Sequence, residues 1–297
     1  LLSLTFLFLF SGSSVVFGDD FQDATDAYKR KDYKEARRLI LPLAEQGHAQ
    51  AQYNLGLMYY KGQGVAQDYK DALQWFRLSA EQGFAKAQYN LGQMHKKGQG
   101  VAQDFKEAVR LFRLSAEQGI AEAQYNLGVM YAKGQVVAQD YVSAHMWWNL
   151  SAEQGFAKAQ YNLGVMYANG QGVEQDYKEA VMLLRLSAEQ GDAFAQYNLG
   201  VMYANGQGVT QDYQEAVKWY RLSAEQGKAS AQNNLGLMYY QGEGVPQDYV
   251  SAHMWWNLSG SNGYEDAVEN RNIVEKKMTP SQIEEAQRLA RNWKPKK

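Results

Sequence analysis

A chain of 297 residues with 45% hydrophobic and 13% aromatic content is long enough to bury an extended core. Lys+Arg number 30 against Asp+Glu 32, a net charge of −2, which excludes the global basic field that nucleic-acid binding requires. There is no cysteine, so disulfides, thiolate nucleophiles and zinc–thiolate sites are excluded as well.

Residues 1–18 read as an export signal. Leu1 to Phe10 is an apolar run of signal-peptide length, and Ser11 to Gly18 supplies small residues with a cleavage point expected after Gly18. The run is short for a bilayer span. Retention as an anchor and burial as a core helix remain the competing readings. The first basic residue is Lys29 and no initiator Met precedes the run, so a truncated start is expected.

From there the chain is periodic. Leu-Gly recurs at Gly56, Gly92, Gly128, Gly164, Gly200 and Gly236, each step 36 residues. A fixed period of this size signals a stacked repeat array. In the unit from His48 to Gly83, Ala51, Leu55, Met58 and Tyr59 fall at helical spacing and predict a first helix, A, over Ala49 to Tyr60. Lys61 to Val65 breaks it with two glycines. Asp68 is the expected N-cap of a second helix, B, with Ala72, Trp75, Phe76 and Ser79 on its inner stripe. Gly83 closes helix B as a left-handed C′ residue. The pattern gives six full pairs (48–83, 84–119, 120–155, 156–191, 192–227, 228–263) and a degenerate capping pair over 19–47. A C-terminal cap and basic tail over 264–297 complete the division. Thr279-Pro-Ser-Gln282 opens the capping helix, which is expected to reach Trp293. The tail Lys294 to Lys297 reads as a frayed end. Val136 stands where the other units have Gly64, Gly100, Gly172, Gly208 and Gly244; a β-branched residue resists positive φ, so that turn is expected to differ.

The pattern Ala-x-Ala-Gln-Tyr-Asn-Leu-Gly-x-Met-Tyr, then Gly-x-Gly-Val-x-x-Asp-Tyr-x-x-Ala, resembles the Sel-one-like repeat (SLR), a relative of the tetratricopeptide repeat. The likeness spans roughly residues 20 to 264. It implies an all-α fold: a right-handed α/α superhelical solenoid of helix-turn-helix repeats, acting as an adaptor for protein–protein contacts. Exported bacterial members are tied to envelope processes and host interaction. A cysteine-rich subgroup is tied to β-lactams, and this chain lacks its cysteines.

The related tetratricopeptide geometry implies a peptide groove lined by the A helices. Tyr53, Tyr89, Tyr125, Tyr161 and Tyr197 are expected to face it, each beside an asparagine: Asn54, Asn90, Asn126, Asn162 and Asn198, with Asn234 continuing the series. An asparagine amide both donates to and accepts from a peptide backbone, and tyrosine offers rigid contact area. Lys86 and Lys158 resemble clamp lysines, with Glu122 between them. The competing reading makes the tyrosines and asparagines bridges between adjacent helices and the lysines solvated surface.

His48, His95, His145 and His253 include no pair at metal-binding helical spacing, and the glycine-rich turns lack the Gly-Lys-Ser/Thr ending of a phosphate loop. No catalytic residue, cofactor or metal is expected. Asn149-Leu-Ser151 and Asn257-Leu-Ser259 match the glycosylation triplet but fall inside predicted helices. The resulting expectation is an exported, non-enzymatic scaffold binding a protein or peptide, with no nucleic-acid partner and no span in the mature chain. An envelope-acting or β-lactam-binding enzyme, and an assembly factor working through convex or end surfaces, are the alternatives.

Overall fold

A computed structural model describes residues 16–296. Among these residues the chain forms sixteen helices and no strand, as expected for a helical solenoid. The A helices of the six full repeats are α3 (Ala49–Lys61), α5 (Ala85–Lys97), α7 (Ala121–Lys133), α9 (Ala157–Asn169), α11 (Ala193–Asn205) and α13 (Ala229–Gln241). The B helices are α4 (Tyr69–Glu81), α6 (Phe105–Glu117), α8 (Tyr141–Glu153), α10 (Tyr177–Glu189), α12 (Tyr213–Glu225) and α14 (Tyr249–Ser261). The pair α1 (Val16–Lys29) and α2 (Tyr33–Glu45) precedes them, and α15 (Glu265–Glu275) and α16 (Pro280–Asn292) follow. Residues 1–15, which hold most of the expected export signal, lie outside the described residues; α1 begins at Val16 and runs through Gly18.

The chain divides into two units. One comprises residues up to 130 with 135–138, the other 131–134 with 139–297. In the first, the core passes from Ala24, Ala36 and Ile40 to Leu55 and Met58, then through Phe76, Leu91 and Met94. In the second, it runs through Leu184, Leu199, Tyr220, Leu235 and Trp255.

Helix B starts where the cap residue stops water from claiming its first amides. The Asp68 carboxylate accepts from the backbone N–H of Lys70 at 2.7 Å and of Asp71 at 3.1 Å, and Asp212 does the same for Gln214 and Glu215. The paired helices then approach closely. A Cβ added at Gly200 of α11 would lie 2.7 Å from the Tyr220 ring of α12, and one at Gly56 would lie 2.7 Å from the Phe76 ring. Glycine is the residue that lets those rings lie against the backbone.

Hydrogen bonds complete the stacking. Ser79 donates to the Ala49 carbonyl at 2.7 Å and Ser223 to that of Ala193 at 2.6 Å, tying B to A within a repeat. Between repeats, the buried Gln52 amide donates to the Ala44 carbonyl (3.0 Å), and within its own repeat it accepts from Gln82 (2.7 Å). Gln196 repeats this in the second unit, with Ala188 (3.1 Å) and Gln226 (2.8 Å). Each such bond contributes about 1 kcal/mol net, and losing one partner leaves a buried polar atom unsatisfied.

Three expectations need correction. The Val136 turn does not differ: Val136 takes φ 70°, matching Gly64 at 73° and Gly208 at 72°. Left-handed Gly134 and the bond from the Asp140 amide to the Tyr131 carbonyl (3.0 Å) hold the same turn around it, and the valine absorbs the strain. The segment 264–297 holds two helices, because Glu265–Glu275 also packs on α14, burying Ala267 and Val274. The tail is not frayed at Lys296: its amide donates to the Glu225 carbonyl at 2.8 Å and its Nζ pairs with the Glu225 carboxylate at 2.8 Å.

Two substitutions test this account. Gly200→Ala should lower stability by about 1 kcal/mol, because ring displacement costs about 1–3 kcal/mol against a gain of about 1 in helix propensity. Chemical denaturation decides the sign, and equal or higher stability rejects the close-approach argument. Val136→Gly should raise stability by about 1 kcal/mol through strain relief, net of glycine's entropy. An unchanged or lower denaturation midpoint would show that Val136 is not strained.

Candidate functional site

The sequence of helix A sets one face. Starting from Asn54, positions three and seven residues on, Leu57 and Lys61, share its side of the helix. In the first unit this face borders two cavities that share Leu57. One, of about 410 Å³, lies along α1 and α3 and is lined by Phe21, Thr25, Tyr28 and Asn54. The other, of about 290 Å³, lies between α3 and α5 and is lined by Tyr60, Lys61, Tyr89, Asn90 and Lys97. In the second unit two further cavities share Val201. Asn169 and Asn198 line one of about 320 Å³, and Tyr197, Asn205, Asn234 and Gln241 line one of about 330 Å³. Each unit thus carries a groove along successive A helices, apolar at its floor and amide-rich at its edges.

Of the expected site residues, Asn54, Tyr89, Asn90, Tyr197, Asn198 and Asn234 line these cavities. The tyrosines are half-buried rather than open. Tyr53 lies 5.1 Å from the Phe84 ring, and Tyr197 lies 6.1 Å from that of Tyr220. Their hydroxyls meet asparagines of the next repeat: Tyr53 with Asn90, Tyr89 with Asn126, and Tyr197 with Asn234. These residues therefore bridge adjacent repeats, and some also border the groove. Asn126 is buried, donating to the Glu122 carbonyl at 2.7 Å and accepting from Lys96 at 3.1 Å. Tyr125, Tyr161 and Asn162 keep the same register and are half-buried. Lys86 and Lys158 are exposed and line none of the four cavities.

Sequence reasoning missed Leu57, Val201, Lys61 and Lys97 as groove residues. The helical period counted from Asn54 contains that signal. A further cavity of about 510 Å³ opens beside α4, α5 and α6, lined by Arg77, His95 and Arg110. His95 stands where Tyr239 stands in the last full repeat, and there Arg221 donates to the Tyr239 hydroxyl at 2.7 Å. Among the described residues no group of His, Cys, Asp or Glu has the arrangement of a metal site. No described helix is long and apolar enough to cross a membrane.

Burial raises the pKa of Tyr53, Tyr89 and Tyr197 and pushes Tyr220 up to about 12, opposed there by the Asn234 hydrogen bond. Tyr220 therefore holds its proton in the fold at pH values where the unfolded chain has released it. Its contribution is intact below about pH 10, the ordinary tyrosine value, and is lost as pH rises through about 12. Stability should fall by roughly 2–3 kcal/mol over that window on account of this group. Tyr220→Phe should flatten the decline in urea titrations; an unchanged slope would assign the alkaline loss elsewhere.

The Sel1 repeat family model matches residues 26–48, 49–84, 85–120, 121–156, 157–192, 193–228 and 229–264, seven repeats in all. A protective antigen of uropathogenic Escherichia coli strains, displaying an SLR fold, is 34% identical over 92% of this chain and 68% of its own, with a TM-score of 0.64. A Sel1 repeat protein from Oxalobacter formigenes is 33% identical over 81% of this chain and 96% of its own, with a TM-score of 0.73. A search of curated proteins returns no match.

Proposed function

The chain belongs to the Sel1 repeat family, whose members are often scaffolds for protein interaction, and from that premise we propose that it binds a protein or peptide along its A-helix groove. The observation that carries this reading is the recurrence of one lining in both units: an apolar floor at Leu57 or Val201, flanked by Asn54 and Asn90 or by Asn198 and Asn234. An extended segment laid there meets amides that donate and accept, with side-chain pockets between them. The role is non-catalytic: a surface repeated along a stack offers many equivalent contacts rather than one converging set of acid, base and nucleophile. The apolar Leu1–Phe10 run and the small residues after it support export, and a place in the bacterial envelope or beyond it.

Site-specific photo-crosslinking tests the reading. A photoreactive residue replaces Leu57 or Val201 in the groove, or exposed Met182 or Leu222 on the B helices. The groove positions should yield a discrete partner adduct in the native extract, and the B-helix positions should not. Adducts from Met182 or Leu222 alone would move the interface to the opposite face and reject the groove.

A further inference from the structure

The two grooves share an architecture and differ in charge. In the first unit, Lys61 and Lys97 are the charged side chains lining the cavities, and no acidic side chain lines either one. Both lysines are exposed, and neither has an ion-pair partner among the described residues. At the same register position the lysine recurs once more as Lys133, in the segment 131–134 that counts with the second unit; the cavities of that unit are lined instead by Asn169, Asn205 and Gln241, and their one charged lining residue is Glu243. A lysine at the end of a helix can serve the helix dipole. That purpose does not account for these two, because α9, α11 and α13 end without a cation and close on the same left-handed glycine cap.

We propose that the first unit's groove selects an extended peptide segment bearing acidic side chains. The proposal rests on the groove reading above and names the partner's chemistry. The Asn54 and Asn90 amides would take the peptide backbone and Leu57 an apolar side chain. The ammonium groups of Lys61 and Lys97 would meet carboxylates on the side chains between. An ammonium on a four-carbon stem follows a carboxylate without fixing its geometry, which suits recognition of charge over exact sequence. Exposed ion pairs are individually weak, so two of them should give selectivity of about tenfold, sensitive to salt.

Fluorescence anisotropy with the full chain provides the test. The probes are three labelled nonapeptides made of Ser-Leu-Asp, Ser-Leu-Asn or Ser-Leu-Lys triplets, and a single-stranded nonathymidylate. The Asp peptide should bind about tenfold tighter than the Asn peptide at low salt, and the advantage should vanish at high salt. The double variant Lys61→Asn/Lys97→Asn, which copies the second unit's residues, should remove it. Lys34→Asn/Lys70→Asn, the same charge loss at the exposed starts of α2 and α4, should not. Equal loss in both double variants would reduce the effect to general attraction and overturn the proposal. Tighter binding of the oligonucleotide would overturn the peptide assignment. Equal affinity for the Asp and Asn peptides, both weakened by Asn54→Ala/Asn90→Ala, would reject acidic selectivity and leave the groove standing. Failure of the chain to bind any peptide would count against both.

Discussion

In the repeats that lie wholly within one unit, helix A lies so near helix B that the residue at their crossing has no room for a side chain. At Gly56 and Gly200 an aromatic ring of the partner helix occupies the space a Cβ would take, and at Gly164 the Leu184 side chain does so. The closeness brings the Ser79 and Ser223 hydroxyls onto carbonyls at the start of the A helix. It also sets the two glutamines of one repeat, Gln52 with Gln82 and Gln196 with Gln226, within hydrogen-bonding reach of one another. Apolar burial supplies the drive toward stacking, and it is non-directional. The glycine contact and the buried amide bonds give the stack a register, because they are satisfied at one offset only.

That register explains how much could be read from the amino-acid sequence. Helix ends were legible because their causes are local: Asp68 caps its own helix, and Gly62 and Gly83 supply positive φ within one turn. The 36-residue step then placed every later repeat helix, down to α14, by arithmetic. What escaped depends on neighbours distant in the chain. Val136 was expected to alter its turn on intrinsic preference, but the surrounding bonds fix the backbone and leave the residue to comply. The helix Glu265–Glu275 has a weak periodic signal and is held by packing against α14. Lys296 looked like a loose end until Glu225, 71 residues earlier, stood beside it.

The candidate site divides the same way. Tyr53, Tyr89 and Tyr197 recur because each bridges to an asparagine in the next repeat, so their recurrence reports stacking as much as binding. The asparagines are dual: Asn90 and Asn234 hold a tyrosine of the preceding repeat while bordering a cavity. A residue with a structural task in every repeat cannot vary to suit a partner. It can offer only a generic surface, here amides that match any peptide backbone.

In the proposed groove, specificity would then come from positions the stack does not use. Those are the groove positions that change from repeat to repeat: Leu57, Gln93 and Val201 along the floor, and Lys61, Lys97, Asn169, Asn205 and Gln241 at the helix ends. Their side chains carry no inter-repeat hydrogen bond among those described, so exchanging a lysine for an asparagine there alters the surface without disturbing the register. A repeat protein built like this separates its two tasks by position within the period. Locked positions make the scaffold and, in the proposed groove, would give an extended chain a place to lie, while the free ones would set which chain is preferred. The change from lysine at Lys61, Lys97 and Lys133 to an amide at Asn169, Asn205 and Gln241 alters charge at one register position, and it lies where no inter-repeat hydrogen bond among those described depends on it.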